Sequence, residues 1–218
     1  MQETEQLITR LVNDLTVKPR QLSIFSVTVM WWVVSWVYVV IATLVMGPLR
    51  ATVIDDLNSH HFQFESAIGL MASLLITFTA WYSVIPSGLS RRIIFYAVVF
   101  LGGWVALYFM GLLVPAVEPA MHGKREYCYY ESFIYSLPPL LFGCILMAKR
   151  FSLKPCQTGF FIGLSAGIMP ALFMQFACMY DPVHILKLHI LPGIICGLIG
   201  LLGFPVINKY FSVIKTNH

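Results

Sequence analysis

Six apolar stretches, at about 22–46, 64–85, 93–114, 133–148, 159–177 and 186–204, carry no Lys, Arg, Asp or Glu in their interiors. Most approach the ~20 residues a helix needs to cross a hydrocarbon layer of roughly 30 Å. Lipid offers no water to bond exposed backbone, so a chain with these segments resolves into membrane helices. The fourth stretch is the shortest and is expected to begin near Pro138 and Pro139, which a membrane helix tolerates in its first turn or at a kink. Composition agrees: 58% of residues are hydrophobic and only 11% charged, against about a quarter charged in soluble domains. The expected fold is an all-α integral membrane protein of six transmembrane helices with short loops. Its parts are a segment 1–21, a helical domain 22–204 and a tail 205–218. No large soluble domain fits.

Charge sets the expected orientation. Arg10, Lys18, Arg20, Arg91, Arg92, Lys149, Arg150, Lys154, Lys209 and Lys215 fall on one side, with Glu3, Glu5 and Asp14. The other side holds only Arg50, Lys124, Arg125 and Lys187, with the acids Asp55, Asp56, Glu65, Glu118, Glu126, Glu131 and Asp181. Basic loops stay in the cytoplasm, so both termini are expected there. The polar start does not match a cleavable signal peptide, and the N-terminus is expected to be retained. A net charge of +4 gives no reason to expect direct nucleic-acid contact.

Segment 1–21 is a short amphipathic helix by pattern: Leu7, Ile8, Leu11, Val12 and Leu15 share a face, Gln6, Arg10, Asn13 and Asp14 lie largely elsewhere, and Lys18-Pro19-Arg20 stops it. Too short to be stable alone in water, it needs a membrane surface, the protein's own inner face or a partner's groove. The acids Glu3, Glu5 and Asp14 speak against anionic lipid and for a groove.

The five cysteines, Cys128, Cys144, Cys156, Cys178 and Cys196, contain no Cys-x-x-Cys pair. No zinc ribbon or thioredoxin-type motif can be read. The topology puts Cys128 in the outer loop between spans three and four and Cys178 at the outer end of span five, on one aqueous face. A structural disulfide, a switchable disulfide and two unrelated thiols are all compatible with that placement. Cys144 and Cys196 fall inside spans, where they would pack as small hydrophobes, and Cys156 falls in an inner loop. With Met179, Asp181, His184 and His189, the outer cysteines form a set of soft donors suited to copper or zinc; Cys128, Cys178, His184 and His189 are the candidate metal ligands, and no resident cofactor is expected beyond a transient soft ion. His60, His61 and His122 lie in other outer loops. Gly159, Gly163, Gly167, Gly193 and Gly197 recur at helical spacing, with Gly200 and Gly203 beyond. Such glycines let backbones approach, here span five against six rather than a homodimer seam.

Enzyme classes find no motif: there is no Gly-x-Ser-x-Gly, no His-Glu-x-x-His and no phosphate-binding glycine loop. Spans without ionisable residues disfavour transport. Trp31, Trp32, Trp36, Trp81 and Trp104 read as interface anchors and packing.

The order of these features resembles the NrsF family of six-pass bacterial inner-membrane anti-sigma factors. The resemblance rests on Leu7-Ile8 through Leu15 and Pro19, Ala80-Trp81 with Ser83, Pro86, Gly88 and Arg91-Arg92, then Cys128, Pro155 with Gly159, Gly163 and Gly167, Cys178, and His184 with His189 before Gly193, Gly197 and Gly200. Met179 after Cys178 and Leu188 before His189 depart from the pattern, where Pro and Trp would be expected. The resemblance implies that segment 1–21 sequesters an extracytoplasmic-function sigma factor through Leu7, Ile8, Arg10, Leu11, Val12, Asp14 and Leu15. It further implies that Cys128 and Cys178 sense oxidative or heavy-metal stress. A membrane redox or copper/zinc-handling protein using the Cys/Met/His set is the alternative.

Overall fold

The computed structural model describes residues 5–6, 23–85, 88–113, 125–150 and 152–216. The proposed partner-binding residues Leu7, Ile8, Arg10, Leu11, Val12, Asp14 and Leu15 lie outside the described residues, as do Pro86 and His122. Among the described residues there is no strand. The helices are α1 (Ile24–Met46), the short α2 (Val53–Leu57), α3 (His60–Tyr82), α4 (Arg91–Leu113), α5 (Cys128–Ala148) and α6 (Pro155–Ala177). Then α7 (Pro182–His184) runs through a π-helical turn, Ile185–Ile190, into α8 (Leu191–Thr216). Among the described residues, six helices are long and apolar enough to cross a membrane, the last being the continuous Pro182–Phe211.

Buried almost throughout, α6 is the axis of the bundle. It packs most extensively on α8, then on α3 and α5, while α4 lies against α3. Between α6 and α8 the backbones themselves touch. A Cβ at Gly159 would overlap the Gly200 carbonyl, one at Gly163 the Cys196 carbonyl and one at Gly167 the backbone of Gly193, all within one chain. Gly197 instead faces the Phe160 ring and Leu164. Lipid supplies no hydrophobic drive between helices, so close backbone packing of this kind is what holds them.

A second, polar seam joins α3 to α6. Gln175 donates to Ser66 at 3.0 Å, Thr77 and Ser165 share a bond of 2.5 Å, and Ser83 and Thr158 share one of 2.8 Å. Hydroxyl and amide bonds between membrane helices contribute modestly, about 0.6 kcal/mol on average. Trp31, Trp81 and Trp104 are core residues at 1% exposure or less rather than interface anchors.

Three expectations change. The fourth span begins ten residues before Pro138, at Cys128, and carries both prolines in its interior. Cys128 is therefore not a loop residue but the first residue of α5, buried at 1% exposure. Nor are the helices free of ionisable groups: α3 starts at His60 and takes in Glu65, 1% exposed, while Glu131 lies in the first turn of α5 and Lys187 in the π turn. The last helix itself runs on to Thr216.

Candidate sensor site

One end of the bundle gathers the start of α5, the end of α6 and the start of α7. Asp181-Pro182 begins α7: the Asp181 carboxylate accepts the His184 N–H at 2.8 Å, and proline takes the first helical position. Both are standard helix-start chemistry, an acidic N-cap and a residue with no N–H to satisfy.

The π turn follows directly. In an α-helix, residues five apart point about 140° away from each other at 3.6 residues per turn. The i to i+5 bonding of a π-helix underwinds the chain, and Leu191 N–H reaches Leu186 O in this way. His184 and His189 thereby come to one face, with ring centroids 5.0 Å apart in an edge-to-face arrangement. Pro192 sits just beyond, where its ring would crowd the carbonyl four residues back in a tight α-turn.

Cys178 caps the C-terminus of α6, and Cys128 opens α5. Their sulfurs, 50 residues apart in sequence, face each other as a pair placed to form a disulfide. His184 Nε2 lies 3.1 Å from the Cys178 sulfur, and the Cys128 sulfur lies 3.2 Å from the Arg125 carbonyl, a bond it could donate only as a thiol. His189 is fully buried, and neither ring nitrogen has a hydrogen-bond partner among the described residues. One ligating atom from each of Cys128, Cys178, His184 and His189 falls within 4.8 Å of all the others, and all four residues are buried.

Such a set can do two things. As a disulfide it staples α5 to α6. As two thiols it presents two sulfurs and two imidazoles, the donor set that soft or borderline cations prefer. The orphaned His189 ring fits that second use, because a buried imidazole without partners costs free energy that a bound ion would recover.

Around this centre lie residues with no motif to mark them. Arg125 bonds Glu131 at 3.0 Å and the Gly47 and Pro48 carbonyls at 2.7 Å each, which caps the open end of α1. Arg50, between α1 and α2, forms an ion pair with Asp56 at 2.8 Å and stacks over the rings of Phe62 and Tyr180. Burial lowers the Arg50 pKa, while Asp56, Tyr180 and Glu65 act to raise it. The Tyr180 phenol is held well above its ordinary range, first by burial and then by its bond to Glu65. A carboxylate at the edge of an apolar stretch was the one sequence signal for this cluster.

The remaining candidates disperse. Met179 packs beside both cysteines, Asp181 serves as the cap, and His60 and His61 are exposed. Cys144 and Cys196 are buried in their helices, and Cys156 is exposed at the opposite end.

A family model described as NrsF, negative regulator of sigma F, matches residues 11–210. No curated protein and no solved structure matches the chain.

Proposed function

Since the chain belongs to the NrsF family of negative regulators of sigma F, we propose that it is an anti-sigma factor of a bacterial inner membrane, with both termini in the cytoplasm. Segment 1–21 holds an extracytoplasmic-function sigma factor through the face made by Leu7, Ile8, Leu11, Val12 and Leu15, with Arg10 and Asp14 setting register. The Cys128–Cys178 pair, on the periplasmic side, governs release. One observation carries this reading: two cysteines and two histidines buried together at the end opposite Arg91, Lys149, Arg150 and Lys154.

The signal is oxidative or heavy-metal stress: a peroxide takes two electrons and two protons from the two thiols, forming the S–S bond and leaving water, and two equivalents of an external thiol, themselves joined as a disulfide, reverse the step. With the staple between α5 and α6 made or broken, packed helices can settle into a second arrangement. A ligand or redox change shifts the sigma-factor equilibrium only as far as the two arrangements differ in affinity for it.

Co-purification from host membranes tests the partner. Full-length protein is expected to retain a sigma factor that the version lacking residues 1–21 loses, as read by mass spectrometry. Equal recovery from both, or none from either, would sink the anti-sigma reading.

The orphaned His189 ring supports a soft cation as one signal, and it equally suits the alternative of a copper- or zinc-handling protein. Reduced protein titrated with zinc is expected to bind one ion per chain, and His189→Ala to weaken binding by at least about tenfold. Unchanged binding in His189→Ala would remove the histidine from the site. A metal-handling protein would show the same titration without retaining a sigma factor.

A further inference from the structure

The link between the two halves of the centre is very short. Cys178 ends α6, Asp181 caps α7, and both have extended backbone. A stretch without helical hydrogen bonds is held by its side-chain anchors, and these decide where Cys178 and His184 stand. Tyr180 is such an anchor. Its hydroxyl donates to Glu65 on α3, its ring meets Phe62 edge-on at 5.5 Å between centroids, and the Arg50 guanidinium lies 5.2 Å over its face.

Glu65 is an expensive choice for the acceptor. It is 1% exposed, inside a helix long enough to span the membrane, and its second carboxylate oxygen has no hydrogen-bond partner among the described residues. Ionisable groups in such places are rare and tend to serve function. A phenylalanine at 180 against an apolar residue at 65 would fill similar space without burying a carboxylate.

We infer that Tyr180 and Glu65 are positioning residues that tether the Cys178–Asp181 link to α3, so that a change at the Cys128–Cys178 pair is delivered to that helix. The inference rests on the centre being redox-responsive and is independent of any sigma factor. As receiver, α3 runs from His60 to Tyr82 along α6, and Ser83 at its far end shares a bond with Thr158 near the start of α6. A displacement of its first turns is thus felt at the opposite end of the bundle, because packed interfaces move between discrete arrangements.

A purely structural bond would stabilise oxidised and reduced protein alike. The tether predicts something different, a redox-dependent signature in α3 that needs the hydroxyl. Hydrogen–deuterium exchange on the full-length protein in detergent, with the disulfide intact and after dithiothreitol, reads it directly. In the wild type, amides of residues 60–66 are expected to exchange on the order of tenfold faster after reduction, the factor for losing one hydrogen bond to a charged group. Tyr180→Phe keeps the ring beneath Arg50 and is expected to erase that difference. Glu65→Gln, which still accepts from the hydroxyl, should retain most of it. Glu65→Leu removes the acceptor from the other side and carries the same expectation as Tyr180→Phe, so the test does not depend on one variant folding. Thiol alkylation in parallel reports reduction of the pair in each protein. Exchange at 60–66 that ignores reduction in the wild type, or that responds equally in Tyr180→Phe or Glu65→Leu, overturns the inference. Sigma-factor retention is a separate measurement and can fail alone.

Discussion

Gly163→Ala is expected to destabilise the bundle by about 3 kcal/mol or more, near the upper end for overpacking, and to reduce the folded protein recovered from membranes. The added methyl meets the Cys196 carbonyl and the Gly197 Cα, which are backbone and cannot rotate aside. Either α6 and α8 separate along their length or the chain does not pack. Gly102 supplies the control, because a Cβ there meets nothing within 4 Å among the described residues. Gly102→Ala should be neutral or stabilising by about 0.5–1 kcal/mol, the ordinary gain from removing a helical glycine. Thermal unfolding of both variants in one detergent decides the matter. Equal midpoints would mean that the glycine contact does not hold the bundle.

A comparable loss, about 3 kcal/mol, is expected from Arg50→Ala. The side chain is nearly buried, forms an ion pair with Asp56 at 2.8 Å and lies over two rings at 5.2 and 5.4 Å. Its removal leaves Asp56 unpaired and strips the Glu65 carboxylate of a nearby positive charge. Arg50→Lys should recover only part of the loss, since an ammonium lacks the flat face and the fork of donors that guanidinium brings to rings and carboxylates. The same unfolding measurement applies. A wild-type midpoint for Arg50→Ala would show that the cation is incidental to the fold.

The six helices were legible because lipid imposes one rule on every residue of a span, and hydropathy reports that rule directly. The glycine spacing was legible for a similar reason: Gly159, Gly163 and Gly167 lie on one face by helix geometry alone, whatever they meet. The candidate site was legible only as a set of residue types. Positions 128, 178, 184 and 189 come from three helices, and no local spacing says that their donor atoms converge within 4.8 Å. The convergence of His184 and His189 depends on a π turn, and the sequence hint for it is no more than Pro192 after two histidines five apart. Pro138 and Pro139 misplaced the start of α5, because helix breakers in water become interior residues when neighbouring helices and lipid enforce the helix. Glu65 counted only as one acid of the outer face, and its burial was hidden for the opposite reason. It stood at the margin of an apolar stretch, where hydropathy averages over it, and its worth depends on Tyr180, 115 residues away.

The underwound turn at Ile185–Ile190 also makes this helix unusually sensitive to chain length. Each residue in an α-helix turns the chain by about 100°. Losing Ile190 would let the stretch relax into ordinary winding, and His184 would swing away from His189 while the glycines of α8 kept their seat against α6. Losing one of Ile185–Leu188 would instead leave the histidines four apart, about 40° from each other and still on one face. In lineages of this chain, a spacing of five between the histidines should therefore travel with the underwound turn, and a spacing of four with an ordinary helix.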